Sequence, residues 1–418
     1  MKPTLVEPRV LRRWTNLALA FFCLCPLAAV AQADFSVQAS PSPNARGTTL
    51  NAVAAISNTD AWTVGYKNDN NLNDSRTLIE HWNGTGWKTV PSPNPGSTAA
   101  CKGFNTGNFL TAVAAVSSTD VWAVGLMFDC TSLLKPLALH WDGLHWRKVK
   151  TPALNTNDNA AFNGVLAFAS NDVYAVGYQP ATNGAVLTLI EHWDGFSWKV
   201  VPSPNGNNTG NVLSGISGNS PTDIWAAGDM VAPNTPVKTL VEHFDGAQWS
   251  IVPSPNPLPT GSLNQNVLTS VQANSTTDVT AVGFLLNFNT QTETTLVEHW
   301  DGTQWNVVPS PNQSETAGSF NTLRSVTGTS GSNLYAAGFF ADAQTGGQQR
   351  TLVEHFDGHS WSIITSPTKG VAQQLHGIFA LPNATSVWSV GAFTFEQTDP
   401  ETGFLIVPKT LVLSSPTS

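Results

Sequence analysis

The sequence predicts an all-β fold built from one repeated four-stranded unit. A short phrase recurs seven times: Asp60-Ala-Trp-Thr-Val-Gly65, Asp120-Val-Trp-Ala-Val-Gly125, Asp172-Val-Tyr-Ala-Val-Gly177, Asp223-Ile-Trp-Ala-Ala-Gly228, Asp278-Val-Thr-Ala-Val-Gly283, Asn333-Leu-Tyr-Ala-Ala-Gly338 and Ser386-Val-Trp-Ser-Val-Gly391. Successive copies begin 60, 52, 51, 55, 55 and 53 residues apart. A second phrase follows each of the first six, as in Thr295-Leu-Val-Glu-His-Trp-Asp-Gly302, Trp305 and Val308-Pro-Ser-Pro-Asn312. No segment carries a helical period; the apolar runs are short, β-branched or aromatic, and bounded by turn residues.

The elements follow in order. The first strand of each unit is the apolar run before the Asp-x-Trp phrase, such as Leu50–Ile56. The phrase itself is the second strand, and Thr-Leu-Val-Glu-His-Trp is the third. Asp-Gly is a tight hairpin signal, so the fourth strand starts at the following Trp. Val-Pro ends it, because proline cannot donate to a ladder. The units cover residues 45–94, 105–152, 160–205, 211–256, 266–312, 321–367 and 373–418. The seventh stops at its third strand, Thr410-Leu-Val-Leu413, whereas Phe35-Ser-Val-Gln-Ala-Ser-Pro-Ser-Pro-Asn44 reads as an orphan fourth strand. Four-stranded units of about 50 residues, repeated, fit radial blades. The expected fold is a seven-bladed β-propeller of four-stranded antiparallel blades. Residues 34–44 complete the last blade and close the ring.

The pattern resembles Kelch-type propellers over all seven units. Trp122-Ala-Val-Gly125 stands for that family's aromatic-Ile-Val-Gly-Gly strand end. His140-Trp-Asp-Gly143 with Trp146 stands for its Tyr-Asp-Pro turn followed by Trp. The chain departs in ending the second strand on one glycine, not two. The Asp-Gly-x-x-Trp turn also resembles the Asp-box of sialidase-like propellers, without its Ser-x-Asp-x-Gly spacing. The resemblance implies a fold and carries little about function.

Composition narrows the classes. The 418 residues carry a formal charge of -9, and only 11% are charged. An acidic, lysine-poor surface argues against nucleic acid, whose backbone requires basic contacts. Lys2, Arg9, Arg12 and Arg13 precede an apolar stretch, Leu17–Val30, and a small-x-small site, Ala31-Gln32-Ala33. This reads as a signal peptide over residues 1–33, with the mature chain starting at Asp34. A membrane anchor is the competing reading, against which Pro26 interrupts a short apolar run. No later segment is long and apolar enough to span a bilayer. The expected location is secreted, periplasmic or cell-envelope. Cys101 and Cys130, the two cysteines after residue 33, are expected to form a disulfide across loops on one face.

Several columns of residues suggest chemistry but have plainer explanations. The repeated tryptophans, such as Trp62, Trp122, Trp225 and Trp388, could stack on sugars; at fixed repeat positions they are expected to fill the space between blades. The Glu-His pairs (Glu80-His81, Glu191-His192, Glu242-His243, Glu298-His299, Glu354-His355) suggest a metal. Neighbouring strand residues face opposite ways, however, and each pair lies in a different blade, so no metal site is expected. Instead they are expected to bond turn or neighbouring-blade backbone. Asp142, Asp194, Asp245, Asp301, Asp357 and Asn83 precede turn glycines and are expected to bond their own backbone, as are Asp60, Asp120, Asp172, Asp223 and Asp278. Enzyme readings find little support. The arginines Arg46, Arg76, Arg147, Arg324 and Arg350 fall at unrelated repeat positions, and no Ser-His-Asp order or phosphate loop is present. No catalytic residue and no cofactor are assigned.

One column is the candidate ligand site. Asn51, Thr111, Asn163, Ser214, Thr269, Arg324 and His376 follow the first apolar residue of each first strand. They are expected to ring the channel mouth and take an anionic or polyhydroxy group. The plainer reading is a water-filled, satisfied channel. The next column, Ala52, Ala112, Gly164, Gly215, Ser270, Ser325 and Gly377, is small, as crowding near an axis requires. Long, divergent loops enter the first strand and join the second to the third, all on one face, where recognition is expected. The leading function is a non-catalytic scaffold binding a glycan or a protein partner there. The alternatives are a polysaccharide-acting hydrolase or lyase, and a structural envelope protein.

Overall fold

The computed structural model describes residues 34–418, apart from 44–45, 69–73, 98–100, 102–105, 131–132, 155–158, 208, 259–262, 382–385, 398–404 and 416–418. The expected signal peptide over residues 1–33 lies outside the described residues, as do parts of the loops 67–76, 95–108 and 393–409. The described residues form 28 strands and one 3-10 turn, Ala343–Thr345. No described helix is long and apolar enough to cross a membrane.

The strands fall into antiparallel four-stranded units in the order first, second, third, fourth. Two neighbouring pairs of units are joined by short parallel pairings, Asp74 with Thr106 and Val186 with Gly210. Each of these links a third strand to the next unit's first strand, so the units abut at the start of their first strands. The fourth strands are short, for example Trp198–Val201 and Trp305–Val307, and end where the proline was expected to end them. At the chain ends, Ser36, Val37 and Gln38 pair with Ser414, Leu413 and Val412. Phe35, 5% exposed, packs with Leu411 and Leu413.

Tryptophans join one unit to the next. The Trp62 ring lies 5.1 Å from that of Trp141 and 5.5 Å from that of Trp146. Trp122 meets Trp193 and Trp198 in the same way, and Trp225 meets Trp300 and Trp305. Trp388 of the last unit meets Trp82 and Trp87 of the first, at 5.3 and 5.4 Å. Each such tilted or edge-on contact adds about 0.5–1.5 kcal/mol beyond the burial itself.

Cys101 and Cys130 form the expected disulfide, 29 residues apart. It ties the segment entering the second unit to its second-to-third loop, which puts those two loops on one face. The same face is laced between units: Asn266 N donates to Val237 O at 3.0 Å, and Gly318 N donates to Gln291 O at 2.7 Å. Losing the cross-link over its 29-residue span costs about 3–4 kcal/mol in the chain-entropy account. Cys130→Ser is therefore expected to lower the denaturant midpoint, and reductant is expected to lower the wild type to the same value. A midpoint indifferent to both changes would contradict the cross-link.

Candidate functional site

All seven residues of the candidate column occupy the same backbone irregularity. Each first strand has a β-bulge, between Leu50 and Ala52, Leu110 and Ala112, Phe162 and Gly164, Leu213 and Gly215, Leu268 and Ser270, Leu323 and Ser325, and Leu375 and Gly377. The unpaired residue in each is the column residue. A bulge leaves one residue out of the ladder and re-aims its side chain. The bulge also explains the glycine of the repeated phrase, which lies inside each second strand rather than ending it as expected, as Gly65 does within Asp60–Asn68. A Cβ on Gly65 would sit 2.0 Å from Thr49 O, and one on Gly338 would sit 1.9 Å from Thr322 O. The recurring motif glycine and the candidate site are therefore two sides of one device.

The bulge aims most of the column at the neighbouring unit. Asn51 Nδ2 donates to Leu110 O at 2.7 Å, Thr111 Oγ1 to Phe162 O at 2.9 Å, and Asn163 Nδ2 to Leu213 O at 2.8 Å. Thr269 Oγ1 donates to Leu323 O at 2.8 Å, and His376 Nδ1 lies 2.9 Å from Leu50 O. Every acceptor is the residue just before the bulge in the next unit. Five of the seven positions thus clamp one first strand to the next. Ser214 and Arg324 make no such clamp and have no hydrogen bond among the described residues.

The seven first strands line one cavity of about 370 Å³, and all seven column residues lie on its wall. Below them the small column is tightly packed: a Cβ on Gly377 would lie 2.9 Å from Ala52 Cα, and one on Gly215 would lie 2.9 Å from Ser270 Cα. Arg324 stands exposed on this wall. Its guanidinium carbon lies 5.5 Å from the centre of the Phe339 ring. Enclosure by its surroundings presses its pKa down, which the nearby Glu293 carboxylate opposes. Glu293 accepts a hydrogen bond from Thr322, and burial raises its own pKa. Burial lowers the pKa of His376, whose Nε2 faces Gln374 Oε1 at 3.1 Å, and the positive Arg324 adds to that effect. The wall therefore carries one strong cation, Arg324, beside a neutral imidazole.

The third-strand pairs separate as their alternation requires. Each histidine turns to its own unit: His81, His140, His192, His243 and His299 Nε2 lie 2.7–3.0 Å from Oδ1 of Asp60, Asp120, Asp172, Asp223 and Asp278. These aspartates bond the imidazoles rather than, as expected, their own backbone. The turn residues do bond backbone: Asp142 Oδ1 accepts from Leu144 N and His145 N at 3.0 and 2.8 Å. Each glutamate turns the other way and is fully buried. Ser203 Oγ donates to Glu242 Oε2 at 2.7 Å, and Ser310 Oγ donates to Glu354 Oε2 at 2.6 Å. These serines come from the Pro-Ser-Pro-Asn segment of the preceding unit. Glu80, Glu242 and Glu354 therefore bond serine side chains, not the neighbouring backbone. Burial pushes Glu80, Glu191, Glu242, Glu298 and Glu354 up to about 8, so each is a neutral carboxylic acid at pH 7. No group of three metal-binding side chains occurs among the described residues.

Another staple was missed in the sequence. Asn108, Asn211, Asn266 and Asn321, two residues before the first-strand Leu or Phe-Leu positions, are fully buried. Each Nδ2 donates to a carbonyl at the start of the preceding third strand, such as Asn321 to Glu293 O at 3.1 Å. Each Oδ1 accepts from the incoming segment, such as Gly96 N to Asn108 at 2.8 Å. An asparagine recurring at one register of a strand was the available signal, since such a polar group is buried only when bonded.

No family model matches the chain, and no curated protein matches it by sequence. Solved structures do match in fold. The structure of YCF48 bound to a D1 peptide has a TM-score of 0.51 at 12% identity, covering 93% of this chain and 99% of that one. A polysaccharide lyase, the PL25 ulvan lyase bound to -[GlcA(1-4)Rha3S]-, has a TM-score of 0.49 at 10% identity, covering 86% and 93%. A Trypanosoma rangeli sialidase in complex with 2,3-difluorosialic acid has a TM-score of 0.41 at 11% identity, covering 87% and 53%. These are β-propeller proteins, and the likeness to the first supports a propeller fold here. At such identities it shows the fold alone.

Proposed function

We propose that this protein is a secreted, non-catalytic propeller that binds an anionic or polyhydroxy group of a glycan or protein partner on its loop-bearing face. In this reading the propeller is of a divergent Kelch-like type with seven blades. The strand Ser36–Gln38 closes the ring, and export follows cleavage near Ala33. The disulfide is consistent with an oxidising compartment.

One observation carries the binding reading. Arg324 is a cation on the cavity wall, without a hydrogen bond among the described residues, at a position whose counterparts are mostly engaged in clamps. A guanidinium presents planar paired donors that suit carboxylate, sulfate or phosphate oxygens. The seven-residue ring expected from the sequence thereby narrows to Arg324, with the Ser214 hydroxyl as a second group outside the clamps.

The test is binding of the purified chain to an array of neutral and acidic polysaccharides and acidic peptides. A selective hit is expected, weakened at least tenfold in Arg324→Ala and weakened by added salt. The melting temperature is expected to stay near that of the wild type, because no clamp is removed. Affinity unchanged by Arg324→Ala rejects this site.

A further inference from the structure

We propose that the joint between the fifth and sixth repeats is a binding pocket for an indole ring, separate from the Arg324 site. The protein itself supplies the template. In the joint before it, Trp225 stacks on His243 with ring centres 4.1 Å apart. It leans on Trp300 at 5.2 Å and meets the edge of Trp305 at 5.5 Å. Its Nε1 donates to Asp223 Oδ1 at 3.2 Å. That is a complete indole site: a stacking face, two aromatic walls and an acceptor for the N–H.

The next joint keeps those parts and lacks the occupant. Thr280 takes the place of Trp225, opposite His299 just as Trp225 lies opposite His243. His299, Asp278, Phe356 and Trp361 stand where His243, Asp223, Trp300 and Trp305 stand. Between them lies a cavity of about 310 Å³. The vacancy shows in the exposure of its walls. The His299 and Asp278 side chains are 38% and 31% exposed, against 25% and 8% for His243 and Asp223.

A second substitution, from the neighbouring repeat, adjoins the same place. Gly331 lies in the turn facing Asp278, where the first five repeats carry Asn58, Ser118, Ser170, Pro221 and Thr276. A Cβ there would come within 1.5 Å of Asp278 Oδ2. Thr280 thus removes side-chain volume from the joint, while Gly331 makes room for the Asp278 carboxylate at its rim. An unfilled apolar cavity destabilises a protein in proportion to its volume. Such a cavity is also a ready site for a flat apolar ligand. The ligand class is an indole ring, either as a free small molecule or as the tryptophan side chain of a partner polypeptide.

The test is calorimetric titration of the full chain with indole and, separately, with N-acetyltryptophanamide. One saturable site per chain is expected for at least one probe. Binding of free indole alone identifies a small-molecule pocket. Binding of the amide identifies a pocket for a partner's tryptophan. Thr280→Trp fills the pocket from within, so it is expected to weaken binding at least tenfold and to raise the melting temperature. Tyr174→Trp, in the joint between the third and fourth repeats, is expected to leave the affinity unchanged. Should Thr280→Trp not fold, Thr280→Phe makes the same test. No saturable binding of either probe up to its solubility limit, or undiminished binding to the filled variant, overturns the proposal.

Discussion

Raising the pH from 5 to 8.5 is expected to lower the melting temperature steadily, the reverse of the usual behaviour of carboxylates. Glu80, Glu191, Glu242, Glu298 and Glu354 are each pushed by burial from 4.5 up to about 8 in the native state. In the unfolded chain they ionise near 4.5. Between those values the native state holds more protons than the unfolded state, so stability falls as pH rises. The stabilising contribution is fully present below pH 4.5 and is lost by the time pH has passed through about 8. Each group therefore pulls stability down across that window. Two histidines oppose the trend at its acid end. Burial lowers the pKa of His355 and His376, and their effect is spent once pH passes the ordinary histidine value of 6.5. Asp301, held at about 2 by the hydrogen bonds it accepts, destabilises only as pH falls below 3.8. The stability maximum is therefore expected near pH 5, where the five glutamates outweigh the two histidines.

Glu242→Gln isolates one of these groups. The amide has the shape of the protonated acid and cannot ionise, and Ser203 remains its partner. The variant and the wild type are expected to melt together at pH 5, and the variant is expected to be more stable by a few kcal/mol at pH 8.5. The molecule already contains a natural version of the experiment. Repeat two carries Leu139 in this column, fully buried in the core. A wild-type melting temperature that is flat or rising from pH 6 to 8.5 would refute the account.

The repeat was legible because its signals are local. Turn glycines, strand-ending prolines and apolar alternation are each set within a few residues. The side-chain partners were less legible because they depend on neighbouring units. The sequence shows that Glu80 and His81 face opposite ways, but not that Asp60 takes the imidazole and the previous unit's serine takes the acid. The candidate column was found by position alone. Its chemistry depends on the bulge, and no residue type announces a bulge at Asn51 or Thr111. The bulge is what turned five expected ligand groups into clamps and left Arg324 apart. Thr280 was in plain view among the tryptophans of the second strand. Its consequence needs the volume of the joint, which includes Phe356, Trp361 and Gly331 from the next unit.

Trp388→Ala is expected to cost as much stability as Trp225→Ala, about 3–5 kcal/mol each. Trp225 lies in an interior joint, 1% exposed. Trp388 lies between the last repeat and the first and is 5% exposed, with Trp82 and Trp87 as its partners. In an open array the terminal joint frays, and truncating its aromatic anchor costs little. In a closed ring every joint is interior. Three contacts hold this joint independently of Trp388. His376 reaches Leu50 O, Ser40 Oγ donates to Glu80 Oε2 at 2.7 Å, and the strand Ser36–Gln38 pairs with Leu405–Ser414. Phe35→Ala, which removes the anchor of that strand from its core, is expected to weaken the same joint and to be less than additive with Trp388→Ala, since both act on one closure. Denaturant midpoints of the three single variants and the double variant decide it. Equal losses at Trp388 and Trp225 establish closure. A loss at Trp388 below about 1 kcal/mol would mean the first and last repeats part readily in solution.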